Sequence, residues 1–181
     1  MERDLSSEIV LLLIQHMMHV RAIAKELEGN HTTVRRILQN LMEKNAIDYR
    51  QEGKNKVYFL KRTLEARNYV IMAETYKLNR ILSRYPELRD IVEQVKGISK
   101  IRLAILFGSY AAEKAGKDSD IDIFIETRDN AVKKELQYLN SRLSVKIGLF
   151  DKSSPLIKEI KRNHVIIKGV ERFYEKVEFF A

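Results

Sequence analysis

The chain has 181 residues, 45% hydrophobic and 32% charged, with 33 Lys and Arg against 25 Asp and Glu for a formal net charge of +8. That balance is ordinary for a globular protein that buries a core and excludes wholesale disorder, and the lack of cysteine excludes disulfide frameworks, thiolate metal sites and cysteine nucleophiles. No stretch approaches the roughly 18 apolar residues of a membrane span and the opening Met1-Glu2-Arg3-Asp4 lacks a cationic leader, so a cytoplasmic protein with no membrane contact is expected.

From Leu5 to Met18 the apolar residues run almost without interruption, which predicts a helix buried on much of its circumference. Val20–Glu28 carries apolar residues at 20, 23, 24 and 27, the spacing of a second helix, closed by a Gly29-Asn30 turn. Thr32 or Thr33 is the expected cap of a third helix, whose apolar stripe is Val34, Ile37, Leu38, Leu41 and Met42. The face left over carries Thr33, Arg35, Arg36, Gln39 and Asn40, side chains able to bond base edges or phosphates when a helix lies in the major groove. Ala46–Arg50, the turn residues 51–55 and Lys56–Leu60 then read as a hairpin with a basic tip, Lys54 and Lys56. Between His31 and Arg62 there are eight Lys and Arg against three acids, so much of the positive excess lies in this segment.

Helix, helix-turn-helix and basic hairpin in that order, over roughly residues 5–62, resemble the winged helix-turn-helix domains of MarR- and ArsR-like regulators. The resemblance implies binding of double-stranded DNA, with the third helix and the hairpin as contacts, by a homodimer reading paired half-sites. A winged helix that makes only protein contacts is the alternative, and the local positive charge argues against it.

Residues 64–82 continue as helix, and Pro86 opens another that runs to Val95. These helices are expected to connect two domains or to form a dimer contact. The resulting division is 1–62, a helical connector at 63–97, and a second domain at 98–181.

Ile101–Phe107 reads as a buried strand that ends in Gly108-Ser109, a turn into a helix start. Residues 119–126 read as a strand whose alternation sets Asp120 and Asp122 on one face, where two carboxylates can share a divalent metal. A Gly-Ser turn offers backbone N–H groups and a hydroxyl to a phosphate, so the two segments together suit a metal–nucleotide complex.

Gly108-Ser109, ten residues, then Asp120-x-Asp122 between strands resembles the signature of the DNA polymerase β superfamily of nucleotidyltransferases. Ser-Tyr-Ala at 109–111 and Asp-Ser-Asp-Ile-Asp at 118–122 look most like its minimal group. The resemblance implies an α+β fold with a small mixed sheet and flanking helices, a nucleoside triphosphate bound with Mg2+, catalytic and metal roles for Asp120 and Asp122, and nucleotide contacts at Gly108 and Ser109. Relatives that adenylylate a HEPN-type toxin imply such a protein as a further candidate partner. Two departures stand out: Ala112-Glu113 replaces the family's Arg-Gly, and the strand Leu143–Leu149 sets Lys146 where a third carboxylate is implied. An ammonium there cannot act as the base while protonated. Asp151 and Glu126 are the other carboxylates considered for that role, the first five residues on and the second too far along its strand.

His16 and His19, spaced i, i+3 without a third ligand, read as packed or partly exposed residues, His31 as a turn or phosphate contact, and His164 as a surface residue. Three functions stay open: a DNA-binding regulator whose second domain binds nucleotide and Mg2+, an active Mg2+-dependent nucleotidyltransferase acting on a partner protein, and a toxin–antitoxin component acting by protein contact.

Overall fold

The structure is a computed structural model in which residues 2–180 are described. It is α+β and divides into two compact units, Met1–Tyr76 with Phe180–Ala181 and Lys77–Phe179. The boundary falls inside the long helix α4, given below. Among the described residues no helix is long and apolar enough to cross a membrane.

In the first unit α1 (Leu5–Gln15) starts on Asp4, whose carboxylate accepts from the amides of Ser6 and Ser7 at 3.0 and 3.1 Å. The helix stops three residues before the expected Met18. His16 turns to extended backbone, and Met18–His19 become a short strand, β1, paired with Tyr58 and Val57. An apolar run has no periodicity that separates helix from strand, and here the ladder partner decides. His19 is exposed, and its Nδ1 caps α2 (Val20–Glu26) by accepting from Ala22 N–H at 3.1 Å.

The cap of α3 (His31–Glu43) is Asn30, which accepts from Thr32 N–H at 2.7 Å, ahead of the expected threonines. Val34, Leu38 and Leu41 are buried, with Ile9, Val10 and Ile23 of α1 and α2. β2 (Ile47–Glu52) and β3 (Asn55–Leu60) form an antiparallel hairpin, giving the sheet order β1-β3-β2. Its two-residue loop begins at Gly53, whose φ of +56° only glycine adopts without penalty. These elements make a helix-turn-helix with a two-stranded wing. Thr63 Oγ1 then accepts from Ala66 N–H (3.2 Å) to start α4 (Leu64–Arg84).

In the second unit a 3₁₀ turn (Pro86–Leu88) precedes α5 (Arg89–Gly97), β4 (Ala104–Phe107), α6 (Gly108–Ala111), β5 (Ile121–Glu126) and α7 (Asn130–Gln137). β6 (Leu143–Gly148), α8 (Pro155–Arg162), β7 (Val165–Lys168) and α9 (Val170–Lys176) complete it. The sheet is mixed, in the order β6-β5-β4-β7, with β4 antiparallel to both neighbours and β5 parallel to β6. Helix α7 supplies the crossover that a parallel pair requires. One face of the sheet buries Ile121, Ile123, Ile125, Leu143 and Val145 against Ile91, Val95, Val132 and Leu136. On the other face Phe124 meets Phe150 edge-on, and Phe150 meets Phe173.

β4 begins at Ala104 rather than Ile101, and β5 at Ile121 rather than Ser119. Ser119 is used instead to close a turn, its hydroxyl accepting from Gly116 N–H at 2.9 Å. His164 is a correction: the ring is half-buried, 4.5 Å from that of Phe173, with Nδ1 bonded to the Ile160 carbonyl at 2.9 Å.

Candidate nucleotide site and nucleic-acid interface

In the second unit the ladder brings Gly108 and Asp122 together. Phe107, the last residue of β4, pairs with Asp122, so the chain leaves the strand across that carboxylate. Gly108 has φ +68°, and a Cβ built on it would stand 2.6 Å from Asp122 Oδ2. Glycine favours the left-handed backbone there and leaves room for the carboxylate beside it. Ser109 follows, half-buried, in the four-residue α6. Asp122 is half-buried in β5 and Asp120 is exposed just ahead of it, two residues apart at the spacing that keeps side chains of an extended chain on one side.

The loop from Ala112 to Asp120 is pinned at several points. Lys114 N–H donates to Ser109 O (2.9 Å) and Arg142 donates to Lys117 O (2.7 Å), while Arg142 O accepts from Ile121 N–H (2.8 Å). With its amide turned so that oxygen meets N–H and nitrogen meets carbonyl, Asn163 donates to Ala111 O at 3.0 Å and accepts from Ala112 N–H at 3.1 Å. Tyr110, fully buried, packs edge-on against Tyr85 and donates to Glu87 (3.3 Å); burial pushes its phenol up, with Arg142 pulling the other way. Arg142, Asn163, Tyr85 and Glu87 belong to no motif, so only the topology exposes them.

The strand beside β5 carries the third position. In the parallel register Ser144 stands opposite Asp122, and Lys146 stands opposite Phe124, two pairs further along and exposed. The residue beside the carboxylate is therefore a half-buried serine. Asp151 is exposed and spent on a turn, accepting from Ser153 N–H and Oγ at 2.9 and 2.7 Å; the Ser153 bonds hold its carboxyl below the usual range. Glu126 is buried under Arg172 Nε and Lys176 Nζ at 2.6 and 2.5 Å. Burial pushes its carboxyl up, but those two cations outweigh it and hold it below the usual range. Glu126 is thus a neutralised packing charge and not a metal ligand.

Among the described residues no group of three or more His, Cys, Asp and Glu side chains can hold a metal ion. Mg2+ commonly takes only one or two carboxylates and fills its remaining positions with phosphate oxygens and water. Asp120 and Asp122 therefore fit a metal that arrives with a nucleotide and do not build a cage of their own.

In the first unit Arg35, Arg36, Gln39 and Asn40 are exposed on one side of α3, with Thr33 half-buried at its edge. Gln39 donates to Glu43 at 3.1 Å. At the wing, Lys54 and Lys56 are exposed, Lys56 Nζ lying 3.9 Å from the Tyr49 ring centroid, while Arg50 is paired with Glu52 at 2.6 Å. The tip of the wing therefore presents its positive charge through the two lysines.

No curated protein matches the chain. Among solved structures it is similar to a cysteine-to-serine mutant of ZitR from Lactococcus lactis (22% identity over 50% of this chain and 65% of that one, TM-score 0.40). It is also similar to the adhesin competence repressor AdcR of Streptococcus pyogenes (18%, 54% and 80%, 0.36). A toxin-antitoxin structure with AMP-PNP is a further likeness (25%, 58% and 79%, 0.35). The chain thus spans under two thirds of the length of ZitR. The segment that carries Gly108, Ser109, Asp120 and Asp122 lies within residues 87–172, which match the family model of polymerase beta nucleotidyltransferases.

Proposed function

We propose that the protein is a DNA-binding transcriptional regulator whose second domain binds a nucleoside triphosphate with Mg2+. On this reading residues 1–62 are the DNA-binding domain, 63–97 the helical connector and 98–181 the nucleotide-binding domain. The observation that carries it is the exposed polar and basic face of α3, Arg35, Arg36, Gln39 and Asn40, beside a wing tipped by Lys54 and Lys56. Such a helix offers base-edge and phosphate donors together, and a homodimer presents two of them to paired half-sites.

In the second domain Gly108 and Ser109 would contact phosphate oxygens, and Asp120 and Asp122 would hold the metal. A bound Mg2+ would supply neutralisation of the phosphate charge. The missing third carboxylate favours binding over transfer, because no base stands beside Asp122 to take the proton of an acceptor hydroxyl. An active nucleotidyltransferase acting on a partner protein, such as a HEPN-type toxin, is the second reading, supported by the close fit of Gly108 to Asp122.

Calorimetric titration of Mg-ATP tests the site. Micromolar binding lost in Asp120→Ala/Asp122→Ala supports it; no heat with the wild type overturns it. Incubation with labelled ATP and a candidate partner separates the two readings, since only the second transfers label.

A further inference from the structure

Glu113, just past the Gly-Ser turn, takes no part in the nucleotide site described above. It has φ +56°, in the left-handed region that is costly for a residue with a Cβ and that Glu28, Asn45 and Glu178 also take at their helix ends. Its two carboxylate oxygens are taken separately, Oε1 by Arg80 and Oε2 by Arg84 Nη1 at 3.1 Å. Arg80 and Arg84 are four residues apart on α4 and so share one face of that helix.

Glu113 also closes the turn that Gly108 opens. Ala112 N–H bonds to Gly108 O (3.1 Å), Glu113 N–H to Tyr110 O (3.1 Å) and Lys114 N–H to Ser109 O (2.9 Å). The last bond exists because the chain reverses at Glu113. We infer that Arg80 and Arg84 clamp Glu113 in the left-handed conformation and so position the Gly108–Ala111 turn for the nucleotide's phosphates. All three are positioning residues, and the inference rests on the nucleotide reading above.

The test compares two substitutions that remove the same charge. Glu113→Ala loses the clamp and keeps the strain of a side chain at φ +56°; Glu113→Gly loses both. In calorimetric titrations of Mg-ATP into the full chain, Glu113→Ala binds about fivefold or more weakly, the factor by which an unclamped left-handed residue depletes the competent turn. Glu113→Gly stays within about twofold of wild type. Arg80→Gln/Arg84→Gln weakens binding as Glu113→Ala does, and adding Glu113→Gly restores it. Equal loss in Glu113→Ala and Glu113→Gly, or no loss in either, overturns the clamp while leaving the site standing. A wild type that takes up no Mg-ATP overturns the nucleotide reading itself. Amide exchange at Lys114 probes the clamp without ligand: it quickens in Glu113→Ala and not in Glu113→Gly if the clamp sets the turn, and an equal rate in both removes it.

Discussion

Replacing Gly108 by alanine separates what the backbone needs from what the site needs. At φ +68° an alanine costs about 1–2 kcal/mol relative to glycine, and in a unit of this size that lowers Tm by roughly 5–10 °C. The new Cβ also meets Asp122 Oδ2 at 2.6 Å, but that oxygen ends a short side chain that can rotate away, so the contact adds little to the loss of stability. What it does change is where the carboxylate points. Stability should therefore fall by nearly the same amount in wild type and in an Asp122→Ala background, whereas Mg-ATP affinity should drop tenfold or more in wild type and no further once Asp122 is gone. Urea denaturation and calorimetry on the four proteins of the cycle provide both numbers. Affinity within twofold of wild type in Gly108→Ala would show that the glycine does not place Asp122, and would refute a site built on that contact.

On the DNA side, Arg35→Ala/Arg36→Ala should weaken duplex binding by roughly tenfold to a hundredfold near 0.1 M salt and reduce the slope of log K against log salt by up to about 1.8; anisotropy titrations at several salt concentrations that return an unchanged slope remove α3 from the phosphates. Glu126→Gln should cost about 2–3 kcal/mol at neutral pH, below the usual cost of breaking a buried pair because Arg172 and Lys176 are 38% and 28% exposed. Since the native carboxyl lies below its ordinary value of 4.5, its stabilisation is complete above that pH and is lost as pH falls through the native value; denaturation midpoints of the two proteins should converge on acidification, and a constant gap down to about pH 2 contradicts the pairing. Ser144→Asp should raise Mg2+ affinity more than Lys146→Asp, and equal effects in a metal titration would place the register elsewhere.

The parts of the fold carried by periodicity were legible. The stripe Val34, Leu38, Leu41 gives α3, and the alternation around Asp122 gives β5. Ends set by a specific partner were not. The helix from Leu5 stops early because β3 offers Met18 and His19 a ladder, and α3 starts on Asn30 because its short side chain reaches Thr32 N–H first. The Gly-Ser and Asp-x-Asp pair was visible as spacing, yet its physical content, a carboxylate packed against a glycine Cα, comes from the pairing of Phe107 with Asp122. Arg142, Asn163 and the Arg80–Glu113–Arg84 contacts had no signal at all, since each joins residues at least 29 positions apart or supports a loop through backbone atoms.

At the third position spacing alone does not give the pairing. Counting along Leu143–Gly148 cannot say which residue lies beside Asp122, because the crossover through α7 leaves the register free to shift by a pair without moving any side chain to the wrong face. The observed register sets Ser144 there. Neighbouring strands lie about 4.8 Å apart and residues two apart on a strand about 6.6 Å, so a side chain at 144 starts about 5 Å from Asp122 and one at 146 about 8 Å. A carboxylate at 144 can share an ion with Asp122, whereas Lys146 starts further off and carries its ammonium on a long flexible stem. On the reading proposed above, a serine beside Asp122 with a cation two pairs further along suits holding a metal-bound triphosphate more than transfer from it.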